Sequence, residues 1–97
     1  MRIISRKTLR EFWEEHPSAK IPLQAWYADT KQANWRSPND IKKTYRNASI
    51  VANNRVVFNI KGNDYRLVAA INYSFSIAYI RFVGTHKEYN NIDVTKI

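Results

Sequence analysis

Hydrophobic positions in this chain change their spacing near Ala48. Before that point they recur at helical intervals, and after it they alternate. Met1 to Ile4 reads as a short strand. Leu9, Phe12, Trp13 and His16 then share one helical face, and Pro17 stops that helix at about His16. Ser18 is placed to cap a second helix. Pro22 is tolerated near its start, where amide donors are unpaired anyway. Leu23, Trp26, Tyr27 and Thr30 form its inner stripe. Ser37-Pro38-Asn39-Asp40 combines a cap, a first-position proline and an early acid, which predicts a short third helix to about Tyr45.

Val56, Phe58 and Ile60 alternate with Arg55, Val57, Asn59 and Lys61, the period of a half-buried strand. Gly62-Asn63-Asp64 marks a turn, Tyr65 to Asn72 a second strand, and Tyr73-Ser74 a tight turn. Phe75 to Val83 reads as a third strand ended by Gly84, with a loop or a single helical turn over Thr85 to Asp93. Helices first and strands afterwards predict an α+β fold, with N-terminal helices packed on one face of a small antiparallel sheet. At 97 residues the chain is the size of one domain, taken as 1–97.

The hairpins allow a register expectation. With loops at 62–65 and 73–74, Ile60, Leu67 and Ile80 share one rung facing the helices, and Phe58, Ala69 and Ala78 share the next. On the opposite face Lys61 lies beside Arg66, and Arg66 beside Arg81, with Asn59, Val68 and Tyr79 one rung down. Three adjacent cations repel unless an anion sits among them. Phosphate is the natural occupant, because arginine binds it bidentately. A one-residue slip would send Arg66 to the other face.

Charge strengthens that picture. Sixteen Lys and Arg against eight Asp and Glu give a net charge of +8, which favours a polyanionic partner such as nucleic acid or the ribosome. With no cysteine, disulfides and thiolate metal sites are excluded, and the cytosol is the expected compartment. No apolar run approaches the ~20 residues that span a bilayer, and Met1-Arg2-Ile3-Ile4-Ser5 does not lead into a signal-peptide core.

Few groups remain for chemistry. His16 falls on an apolar helical face and reads as structural, as do Trp13, Trp26 and Trp35. His86 follows Gly84-Thr85 near Arg81, Tyr89 and Asp93, where it could move protons at neutral pH. Tyr79 and Tyr89 are candidates for stacking on a base. Two distant histidines and scattered carboxylates match no metal-ligand spacing, so neither a metal nor another cofactor is expected. No glycine-rich phosphate loop and no Ser-His-Asp arrangement are legible. Metal-free RNA cleavage by the substrate's own 2′-hydroxyl needs only the basic and aromatic groups that remain.

Two segments carry a resemblance. They are Asn59-Ile60-Lys61-Gly62-Asn63-Asp64-Tyr65-Arg66-Leu67 and Tyr79-Ile80-Arg81-Phe82-Val83-Gly84-Thr85-His86-Lys87-Glu88-Tyr89. With the opening Met1 to Ser5 and Ala25-Trp26-Tyr27, the chain resembles HigB toxins of the RelE-like superfamily over essentially its whole length. The resemblance implies an endonuclease that cuts messenger RNA on the translating ribosome, in the cytoplasm. It also implies a HigA-type helix-turn-helix antitoxin as partner, through which the toxin reaches operator DNA indirectly. By position, it gives catalytic roles to Arg66, Arg81, His86 and Tyr89. The candidate RNA contacts are Lys61, Asn59, Tyr79 and Lys87. Asn90-Asn91 departs from the charged residue expected there in many relatives. The alternative is a non-enzymatic RNA- or ribosome-binding module on the same basic sheet, or, more remotely, an adaptor for an acidic peptide.

Overall fold

The computed structural model describes all 97 residues. Strand β1 (Arg2–Ile4) leads into α1 (Arg6–Glu15), a 3-10 turn at Pro17–Ala19, α2 (Lys20–Gln32) and α3 (Pro38–Thr44). Strands β2 (Ser49–Val51), β3 (Arg55–Ile60), β4 (Tyr65–Asn72) and β5 (Ile77–Thr85) follow, then α4 (His86–Tyr89) and a closing 3-10 turn at Val94–Lys96. The strands form one open sheet in the order β1-β5-β4-β3-β2. All its pairings are antiparallel except that β1 runs parallel to β5. The α+β architecture is therefore the expected one, with β1 and β2 extending the three-stranded meander at its two edges. No helix is long and apolar enough to cross a membrane.

Local chemistry explains the helices. α1 ends where Pro17 cannot continue it, and the His16 amide still donates to the Phe12 carbonyl at 2.9 Å. Ser18 does not cap α2. It lies in the 3-10 turn, and its hydroxyl shares a 2.6 Å hydrogen bond with the Tyr65 hydroxyl. Pro38 opens α3 as the sequence predicts, while the Asp40 carboxylate reaches back to the Arg36 amide at 2.9 Å. The helices bury one shared core against the sheet: Leu9, Trp13, Leu23, Trp26, Trp35 and Ile41 meet Val56, Phe58, Ile60, Leu67, Ala69 and Ile71. Phe58 lies at its centre, with ring contacts to Trp26, Trp35 and Tyr45.

The register differs from the expected one, and the turns are the reason. The first loop is residues 61–64, so Ile60 pairs with Tyr65 and Asn59 with Arg66. Lys61 leaves the strand with φ +52°, followed by Gly62 at φ +63°. The second loop takes four residues, 73–76, because the Asn72 side-chain oxygen accepts the Phe75 amide at 3.0 Å and widens the turn. β5 then carries an extra residue, Arg81, between the pairs Ala69–Ile80 and Val68–Phe82. Gly84 does not end the strand but pairs with Arg66 inside it. The predicted row Lys61–Arg66–Arg81 is therefore not formed. The first shift is by two residues, which preserves side-chain parity, so Arg66 still faces away from the helices.

Candidate active site

Three rungs cross the sheet face turned away from α1 and α2. Asn59, Arg66 and Gly84 form the first, Val57, Val68 and Phe82 the second, and Arg55, Ala70 and Tyr79 the third. An apolar rung thus separates two polar ends.

Arg66 dominates the first end. Only 9% of it is exposed, although it carries a permanent charge. Its Nη1 donates to the carbonyls of Asn63 at 3.1 Å and Tyr65 at 3.3 Å. None of the four salt bridges in the chain includes it. Its Nε and Nη2 are neither hydrogen-bonded within the chain nor fully occluded, so the guanidinium, facing no carboxylate, keeps donors free for an anion.

Tyr89 supplies the other contact. Its ring lies under the Arg66 guanidinium, 5.7 Å from ring centre to Cζ. α4 holds Tyr89 there through a reciprocal cap: the Glu88 amide donates to the Thr85 hydroxyl at 3.1 Å, and the Thr85 amide donates to the Glu88 carboxylate at 2.8 Å. Those bonds to Thr85 hold the Glu88 carboxyl below its ordinary pKa, with a smaller contribution from His16. Phe82 packs beside Tyr89 at 6.4 Å between ring centres. Its ring lies over Gly84, where an added Cβ would stand 2.4 Å from the ring. A Cβ at position 84 would therefore force the tip of the Phe82 ring to shift, and Phe82 packs against the Tyr89 that lies under Arg66.

His86 opens α4, exposed, and its amide donates to the Asp64 carbonyl at 3.1 Å, tying the helix to the β3–β4 turn that follows Lys61. Lys87 follows it, also exposed. Lys61 pairs with Asp64 at 3.6 Å across the turn. Asn59 lines an open groove of about 490 Å³ together with Arg46, Asn47 and Asn63. The fold thus gathers Asn59, Lys61, Arg66, His86, Lys87 and Tyr89 about one corner of the sheet.

Arg81 and Tyr79 lie elsewhere. The bulge separates Arg81 from Arg66, and the Arg81 guanidinium lies over the Tyr79 ring at 5.6 Å, toward the third rung. His16 stacks on Phe12 at 4.2 Å and meets Tyr65 edge-on, a structural role. Asp93 is spent on the closing turn, accepting from Thr95 and pairing with Lys96 at 3.8 Å. No group of three or more His, Cys, Asp or Glu side chains is placed to hold a metal ion.

Thr85, Glu88 and Phe82 escaped the sequence reading as site residues. The first two were accessible, because Thr-x-x-Glu is a capping-box spacing. Phe82 was not, because strict alternation along β5 hides the bulge.

Residues 19–92 match the HigB toxin family, described as the RelE-like toxic component of a toxin–antitoxin system. The mRNA interferase toxin HigB of Escherichia coli K12 is 30% identical over 92 residues, covering 93% of this chain and 88% of that protein. The mRNA interferase HigB of Shigella flexneri gives the same identity and coverage. The mRNA interferase HigB of Escherichia coli O6:H1 is 23% identical over 94 residues, covering 95% of this chain and 91% of its own.

Proposed function

The chain belongs to the HigB family of RelE-like toxins, and from that premise we propose that it is an endoribonuclease that cuts messenger RNA on the translating ribosome in the cytoplasm. A toxin of this kind has an antitoxin partner, here of the HigA helix-turn-helix type, which brings it to operator DNA indirectly.

The observation that carries the reading is Arg66, a largely buried side chain with no carboxylate partner, its guanidinium over the Tyr89 ring. A scissile phosphate completes its hydrogen bonding and offsets its charge. In the reaction the 2′-oxygen attacks phosphorus and gives up its proton. The bond from phosphorus to the 5′-oxygen breaks, and that oxygen takes a proton. The products are a 2′,3′-cyclic phosphate and a free 5′-hydroxyl, with no outside reactant consumed. Arg66 stabilises the charge that builds on the phosphoryl oxygens. His86, exposed beside the same corner, exchanges the protons. Tyr89 holds Arg66 in place and offers a stacking surface. Lys61, Lys87 and Asn59 line the approach of the strand. Arg81, displaced by the bulge, acts on the message away from the scissile phosphate.

The test uses purified chain, translating ribosomes and one defined message. The reading requires products ending in 2′,3′-cyclic phosphate, lost with Arg66→Ala and with His86→Ala. Stalled translation with intact message would instead support the non-enzymatic binding module.

A further inference from the structure

The third rung carries a second polar site that the cleavage chemistry does not use. Arg55, Ala70 and Tyr79 lie side by side across β3, β4 and β5. The Arg81 guanidinium covers the Tyr79 ring at 5.6 Å. Together with Asn53, Asn54 and Asn72 these residues line an open cleft of about 340 Å³, within the size range of small-ligand sites. Asn53 and Asn54 shape one wall through consecutive left-handed conformations, at φ +62° and +61°.

Charge in this cleft is unbalanced. Neither Arg55 nor Arg81 belongs to any salt bridge. Arg55 spends Nη1 on the Asn53 carbonyl and Nη2 on the Ile97 main-chain oxygen. Arg55 is thus held within the fold, and Arg81, exposed and outside every salt bridge, is the cation free to meet a ligand. The combination of an aromatic face, a guanidinium plane and uncompensated positive charge is what single-stranded nucleic acid requires.

Position supports the same occupant. Arg66 and Ala70 are four residues apart on β4, about 13 Å at the rise of a strand. Both ends lie on one sheet face, joined by the apolar rung Val57–Val68–Phe82. A strand held at Arg66 can run over that rung into the cleft.

We infer that the Arg55–Tyr79–Arg81 cleft is a second RNA subsite, which takes a nucleotide of the message away from the cut, its base on the Arg81 guanidinium that Tyr79 backs. This rests on the cleavage reading of the Arg66 corner and adds a length requirement to it. The subsite governs how tightly the message is held, while the Arg66 corner governs how fast it is cut.

The test measures cleavage of a defined message on translating ribosomes as a function of toxin concentration, comparing the unaltered chain with the double variant Tyr79→Leu/Arg81→Gln. Its thermal unfolding midpoint is checked first, with Arg81→Gln alone as the milder variant. The half-saturating concentration should rise about tenfold, with the rate at saturation falling far less. A message truncated beside the cut, on one side or the other, should show the same loss with the unaltered chain and little further loss with the variant. Unchanged half-saturation, or a loss confined to the saturating rate, overturns the inference and leaves the cleavage reading standing. So does a variant that cuts normally but loses affinity for the antitoxin, which would make the cleft a protein contact. If the unaltered chain cuts nothing, the cleavage reading fails, and the subsite falls with it.

Discussion

The Arg66 guanidinium lies 5.7 Å over the Tyr89 ring and is paired with no carboxylate. One residue comes from the start of β4 and the other from the end of the chain's shortest α-helix. Tyr89→Leu removes the ring that holds the guanidinium, whereas Tyr89→Phe keeps it. Cleavage should fall about tenfold with leucine and by no more than about threefold with phenylalanine, measured at saturating toxin. Equal losses would mean that the hydroxyl, not the ring, matters.

Arg66→Lys keeps the charge but loses the planar fork. The account expects a loss of at least about a hundredfold in cleavage rate, with an unfolding midpoint close to that of the unaltered chain. Retained activity would show that a point charge suffices at this position.

Gly84 and Gly62 make a contrast. A methyl at Gly84 meets the Phe82 ring, while nothing lies within 4 Å of one at Gly62. Gly84→Ala should cost about 1–3 kcal/mol from overpacking and disable cleavage by displacing Phe82 and Tyr89. Gly62→Ala, at φ +63°, should cost about 1–2 kcal/mol and leave the Arg66–Tyr89 geometry intact. Denaturant unfolding and cleavage assays on both variants separate strain from site damage.

The Thr85–Glu88 cap has a pH signature. Because hydrogen bonds from Thr85 lower the Glu88 pKa, the ionised carboxylate is favoured in the folded chain. Its contribution is complete above the unfolded carboxylate's pKa and is lost as pH falls through the lower folded value. Acid should therefore loosen α4 in that window and broaden the Tyr89 ring resonances in NMR, with no comparable change on the alkaline side. Thr85→Ala should loosen α4 at neutral pH, at a cost of about 1 kcal/mol.

Phe58 tests the frame rather than the site. Packed against Trp26, Trp35 and Tyr45, it should cost about 3–5 kcal/mol when replaced by alanine, read from denaturant unfolding. The Tyr45 hydroxyl, raised well above its ordinary pKa by burial and then by its bond to Asp29, should stay protonated across any working pH.

Local signals were readable in the sequence, and long-range ones were not. Pro17 and Ser37-Pro38 place the helix boundaries because their effects act within a turn. The face of Arg66 was also readable, since a two-residue register shift leaves parity unchanged. The partner of Arg66 was not, because it depends on the left-handed Lys61, the four-residue loop after Asn72 and the bulge at Arg81. β2 has only three residues, two of them exposed, so no alternation announces it. The parallel pairing of β1 with β5 joins residues more than seventy positions apart, Arg2 with Ile77, and no local pattern records it. As a result the expected row of three cations resolves into two separate clusters, one around Arg66 and one around Arg81.

The central claim is cleavage centred on Arg66. Its most direct test is mapping of messenger RNA 5′ ends after brief induction in cells, beside the Arg66→Ala/His86→Ala double variant. The account predicts new ends inside reading frames with the unaltered chain and none with the variant. Growth arrest without new ends, or the same ends with the variant, would contradict it.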